Sequence, residues 1–177
     1  MIIKRTGFGQ VEPNHLSAQR TAQIYAQLPA DSSINILENG QFAKYDYANK
    51  KVDFSGEGEF MLVLNEVKLY DERDSYKDFA LIKTDYSNGE MYPRLFKTNV
   101  GDIFTTNCVG AANTGKNAQY AGIDLEVGDY LTPDATTGYL VEITDQDVKN
   151  AAMVWKVVQV TTVPDDVQPA VKIQRIK

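Results

Sequence analysis

A chain of 177 residues, 43% hydrophobic and 24% charged, has the length of one domain and can bury a real core. Its 18 Lys and Arg against 24 Asp and Glu leave a net charge of −6, which argues against a nucleic-acid partner, since phosphate calls for a basic face. One Cys and one His exclude a disulfide framework and an ordinary Cys/His zinc site, and they withhold the usual materials of catalytic triads and dyads.

At the N-terminus Lys4 and Arg5 follow Ile2 and Ile3, the reverse of the charge order in a signal peptide. No stretch approaches the about 18 apolar residues of a membrane helix. The apolar run at residues 60–64 is strand-sized, and none is longer. These features predict a protein made in a cytoplasm, with no membrane partner and with Cys108 a free thiol. Cys108 sits in a strand-like context with no cation beside it to lower its pKa, so it reads as a small core residue.

Charge is unevenly spread, +2 over residues 1–30 and −8 over the rest. The first stretch also holds few large apolar groups, chiefly Ile2, Ile3, Phe8, Leu16, Ile24, Tyr25 and Leu28. Too poor in core material to fold alone, residues 1–33 read as an extended N-terminal arm ordered by whatever it lies against. Residues 34–177 read as the body. Within the arm, Ala18, Ala22 and Ala26 share one face of a helix that Asn14 or Ser17 could cap and Pro29 would end. Ile24, Ala26 and Leu28 equally alternate as in a strand, and both readings stand.

From residue 34 short strands alternate with turns. Residues 34–38 and 41–47 flank Asn39 and Gly40, a strong hairpin signal because both residues tolerate positive φ. Residues 59–70 suit a central strand. Residues 79–84 and 91–97 flank Ser87, Asn88 and Gly89 as a second hairpin, and 102–109 is β-branched and aromatic. Residues 130–132 and 138–143 flank a five-residue turn, and 153–163 and 170–176 flank Pro164. At least eight short strands and no long amphipathic helix predict a mainly β fold, a small barrel or a sandwich. The acidic stretch 71–78 and the Gly/Asn/Ala-rich stretch 110–122 read as long loops, where partner contacts tend to fall.

Chemical motifs are weak. Gly110, Gly115 and Lys116 fit the G-x-x-x-x-G-K spacing of a phosphate loop, but Asn117 replaces the Mg²⁺-binding hydroxyl and Gly122 breaks the helix that should follow. Asp71, Glu72, Asp74 and Asp78, and Asp124, Glu126 and Asp129, lack the register of a calcium loop and read as solvated acidic faces. His15 lies in the arm, far from any nucleophile. Trp155 reads as a core or interface aromatic. Tyr45, Tyr47, Tyr86, Tyr92, Tyr120, Tyr130 and Tyr139 suit strands and interfaces alike. No metal, cofactor or enzymatic activity is expected.

Two stretches carry a family resemblance. Residues 2–9 and 17–29 resemble the leading segment of small virion proteins of tailed bacteriophages. Residues 100–107, with 125–131 and 138–140, resemble the G-D-hydrophobic-hydrophobic-T-T-N … G-D-x-L … G-x-L run of phage capsid decoration proteins, also called head auxiliary or cement proteins. The resemblance implies a β-rich body on the outside of an icosahedral capsid, often a homotrimer, whose arm lies over the major capsid protein and stabilises the shell. The implied arm contacts are Ile2, Ile3, Lys4, Arg5, Phe8, Leu16, Arg20, Ile24 and Tyr25. Another virion part (a head fibre, tail or connector protein) and a receptor- or glycan-binding module are the alternatives.

Overall fold

The computed structural model describes residues 1–5, 7–15, 27–65, 79–110, 123–163 and 168–177. The strands among them are β1 Ile2–Ile3, β2 Val11–His15, β3 Ile36–Glu38, β4 Phe42–Asp46, β5 Lys51–Asp53, β6 Met61–Val63 and β7 Ala80–Ile82. They continue with β8 Leu95–Phe96, β9 Ile103–Thr106, β10 Ile123–Asp124, β11 Tyr130–Pro133, β12 Leu140–Ile143, β13 Trp155–Thr162 and β14 Pro169–Arg175. The fold is mainly β, as the strand-and-turn pattern predicts. None of its sheets closes into a barrel among the described residues.

The largest sheet has six strands in the order β12-β11-β13-β14-β9-β2, and a second has four in the order β5-β4-β6-β8. Because side chains alternate along a strand, the four-stranded sheet is apolar on both faces. Phe42, Leu62 and Phe96 point into a core shared with Phe104, Leu131, Trp155, Val171 and Ile173 of the six-stranded sheet. Ala43, Tyr45, Val63 and Leu95 point the other way, into a second core closed by Leu37 and Leu81 of the β3–β7 pair. The body is thus a sandwich with an extra layer. Its first core centres on Trp155, with the Phe104 ring edge-on at 4.9 Å and the Phe42 ring at 5.7 Å between centroids.

Two predicted hairpins form as expected, β11–β12 and β13–β14. Two others do not. The Asn39–Gly40 turn is present, with Gly40 at φ +96°, yet β3 pairs with β7 while β4 pairs with β5 and β6. Val63 takes the place the first hairpin would need, accepting from the Gly40 N–H and donating to the Gln41 carbonyl. The turn at 87–89 likewise joins β7, which pairs with β3, to a segment whose β8 pairs with β6. Turn chemistry fixes where a chain reverses, and burial decides which strand it then meets.

The arm expected over residues 1–33 is corrected wherever it is described. β1 pairs with β10, β2 forms an edge of the six-stranded sheet against β9, and Ala30 bridges Val52. Ile3 and Arg5 are fully buried and Phe8 is 2% exposed, inside their own subunit. Of the large apolar residues described in this segment, Ile3 and Phe8 are buried in the body and Leu28 packs against its second core, whereas Ile2 is exposed. Residues 16–26, with the helix-or-strand alternative, lie outside the described residues.

Candidate functional site

Of the nine expected arm contacts, Ile3, Arg5 and Phe8 are inside the subunit and cannot face a capsid shell. Ile2, 55% exposed, and Lys4 are on the surface. Leu16, Arg20, Ile24 and Tyr25 lie outside the described residues, as do the phosphate-loop stretch beyond Gly110 and the acidic stretch 71–78. His15 is on β2 opposite Ile103. Among the described residues no three His, Cys, Asp or Glu gather as metal ligands.

A buried polar knot explains the fate of Arg5. Its guanidinium pairs with the Glu38 carboxylate, both groups shut away from water. The same carboxylate accepts the Gly9 N–H at 2.7 Å and the Tyr139 hydroxyl at 2.9 Å. The Glu38 N–H donates to the Gln41 side chain, which in turn donates to the Thr137 carbonyl. Gly9 is required by space alone, since a Cβ there would stand 2.5 Å from the Asn39 carbonyl oxygen and 2.8 Å from the Cys108 sulfur. The knot ties the N-terminal segment to β3 and to the turn that leads into β12, and its ion pair is shut away from water, so its work is structural. Burial pushes the Cys108 thiol, and likewise the Tyr139 hydroxyl, far above their ordinary pKa values.

Cys108 should therefore report on this knot. Ellman's reagent is expected to leave the native thiol untouched on the timescale in which it modifies the urea-unfolded chain completely. The Arg5→Ala variant should be labelled measurably faster, because modification needs the N-terminal segment to lift. Equal rates in native and unfolded protein would contradict the burial.

The surface holds a less expected arrangement. Residues 100–105 and 127–132 both read V-G-D-x-x-T, a repeat legible in the sequence but absorbed there into the family run. Each V-G-D closes a tight turn with glycine in the left-handed region, φ +97° at Gly101 and +111° at Gly128, as a type II turn asks at its third position. Each aspartate then locks its turn. Asp102 Oδ2 accepts the Asn99 N–H at 2.8 Å, and Asp129 Oδ2 accepts the Glu126 N–H at 2.7 Å.

Both turns dock alike on adjacent strands. Gly101 donates to the Arg175 carbonyl while the Arg175 N–H donates to Asp102, and Gly128 and Asp129 treat Val157 in the same way. The strands that follow keep the equivalence: Ile103 lies opposite Gln174 and Phe104 opposite Ile173, as Tyr130 lies opposite Lys156 and Leu131 opposite Trp155. β9 and β11 are thus related by an approximate two-fold axis through the Lys156–Gln174 pair of the β13–β14 ladder. The axis gives the two turn tips matching exposures, 68% at Val100 and 66% at Val127, the two most exposed large apolar side chains among the described residues.

Known proteins offer no match: no family model, curated protein or solved structure corresponds to the chain. The tyrosines divide. Tyr45 and Tyr139 are core, whereas Tyr47, Tyr86 and Tyr92 are exposed, with the Tyr47 ring stacked on Tyr45 at 5.3 Å.

Proposed function

We propose that the chain is a virion structural protein that decorates and stabilises the outside of an icosahedral bacteriophage capsid, bound to the major capsid protein, with a homotrimer as the assembled unit. The family resemblance in residues 100–107, 125–131 and 138–140 supports this reading. One observation carries the choice of contact surface. The two G-D elements of that run become two equivalent turns, each ending in a valine about two-thirds exposed. Rigid apolar tips of this kind suit insertion into pockets of a repeating surface, and two related tips on one subunit suit the bridging of neighbours. The contact role expected of Ile3, Arg5 and Phe8 passes to Val100 and Val127.

The test is co-sedimentation of the purified protein with capsids that lack it, followed by electron microscopy to count and place the copies. Wild-type protein is expected to bind at symmetry-related external positions. Val100→Asp and Val127→Asp should each weaken binding about tenfold, the effect of losing a contact worth about 1.4 kcal/mol. They should leave thermal unfolding unchanged, because both side chains already face water. Wild-type protein that stays in the supernatant would refute the decoration reading. A double variant that binds like wild type would refute the assignment of the tips.

A further inference from the structure

A second surface feature has no part in that reading. Three short loops carry the same D-x-S/T pattern: Asp31 with Ser33, Asp53 with Ser55, and Asp134 with Thr136. In each, the aspartate Oδ1 accepts the N–H two residues on, at 2.9 Å, 3.1 Å and 3.0 Å. Such side-chain-to-backbone bonds hold a loop rigid and fix the direction of the following hydroxyl residue. The three loops converge on one open cavity of about 400 Å³, and Ser33, Ser55 and Thr136 all line it. Phe54 and Ile34 supply its apolar wall, and Lys51 completes the lining together with Asp31 and Asp53.

The charges narrow what can enter. Lys51 Nζ lies 2.7 Å from Asp31 Oδ2 and 3.6 Å from Asp53 Oδ2, standing where a metal ion between the two carboxylates would stand. The bond from Lys51, helped by the Ser33 hydroxyl and N–H, holds Asp31 far below the usual carboxylate range, so it stays an ionised acceptor at any physiological pH. Two carboxylates against one ammonium leave the lining net negative, which disfavours an anionic ligand. The Ser55 and Thr136 hydroxyls have no partner among the described residues and can donate or accept. Exposed hydroxyls and carboxylates lining one cavity together with an aromatic residue match a small neutral polyol with one polar edge and one C–H face. The volume lies within the about 300–1,000 Å³ range of small-molecule sites.

We propose that this cavity binds a single neutral hexopyranose unit, with its hydroxyls on Ser55, Thr136 and the Asp53 carboxylate and its C–H face against Phe54. The unit could be a free sugar or one residue of a surface glycan. This site is independent of capsid binding, and its test requires no capsid.

Amide NMR of the full chain, titrated with the methyl glycosides of glucose, galactose and mannose and with N-acetylneuraminic acid, reads the site directly. At least one neutral glycoside is expected to shift the Ser33, Ser55 and Thr136 amides with a Kd of about 1–10 mM, the weak range of a single sugar unit. The charged sugar should leave them in place. Ser55→Ala combined with Thr136→Val keeps all three aspartate acceptors, and therefore the loops, and should weaken binding at least about tenfold by removing two hydrogen bonds worth about 1 kcal/mol each. The free reducing sugars, titrated alongside, distinguish the sources: a methyl glycoside that binds as well as the free sugar indicates a terminal glycan residue, and clearly tighter binding of the free sugar indicates a free sugar. No shift at these amides with any neutral glycoside, preferential binding of N-acetylneuraminic acid, or undiminished binding by the double variant would each overturn the proposal.

Discussion

Replacing Arg5 with alanine is expected to destabilise the fold by about 3–5 kcal/mol, the cost of stranding one member of a fully buried ion pair. Glu38 would keep its bonds from Gly9 and Tyr139 but lose the cation that neutralises it, with no solvent route to replace it. For a chain of this size that amounts to a fall in melting temperature of about 6–20 °C. The diagnostic comparison is a cycle. Arg5→Met together with Glu38→Gln should be more stable than Arg5→Met alone, because the second change removes the uncompensated charge while leaving an oxygen for the Tyr139 hydroxyl. Thermal unfolding followed by circular dichroism measures both variants. A single variant that melts like wild type would mean the pair is solvated, and a double variant worse than either single would mean that the residues act through packing rather than charge.

The same pair marks where local sequence reading stops. Strand content was legible because alternation and Gly/Asn turns are short-range signals, and the β11–β12 and β13–β14 hairpins follow from them directly. Arg5 is expected among the arm contacts, yet its partner Glu38 is 33 positions away on β3, a separation that no local pattern bridges. Likewise β3 and β4 carry a proper hairpin turn between them, but Ile36 and Leu37 pair with residues 81 and 82. Long-range pairing of this kind is set by which apolar faces close a core, and a window of ten residues holds no trace of it. The V-G-D repeat is the opposite case. It was readable by comparing the chain with itself, and its meaning appeared only when the ladder showed both copies docked on neighbouring strands in the same register.

Symmetry and burial together constrain how the molecule can work. The approximate axis through Lys156 and Gln174 relates two strands, two turns and two exposed valines, and the first core lies under the same four strands, with Phe104 and Leu131 in equivalent places. A tip mounted on strands packed over a shared aromatic core is held in position by the core itself. Under the proposed decoration role, binding through such a tip would lose little conformational freedom, unlike the ordering of a free arm, which costs about 1–2 kcal/mol of backbone entropy per residue.

Deleting residues 1–12 separates the two pictures of the N-terminus most sharply. An arm that only touches a partner could be removed without consequence for the body. Here the deletion removes Ile3 and Phe8, each fully or almost fully buried and worth about 1.5–3 kcal/mol of apolar transfer. It also takes away Arg5 and the Gly9 N–H from the Glu38 carboxylate, a further loss of about 3–5 kcal/mol. Thr106 loses the Gln10 carbonyl that its hydroxyl bonds at 2.7 Å, and β9 loses the neighbouring residues Val11 and Glu12. The sum, about 6–11 kcal/mol, is comparable with the whole stability of a typical domain, about 5–15 kcal/mol. The shortened chain is expected to lose its cooperative thermal transition, expose Cys108 to thiol reagent and bind a hydrophobic dye. A shortened chain that melts within a few degrees of the full one would return these residues to the role of a detachable arm, and the capsid contact would have to be sought there again.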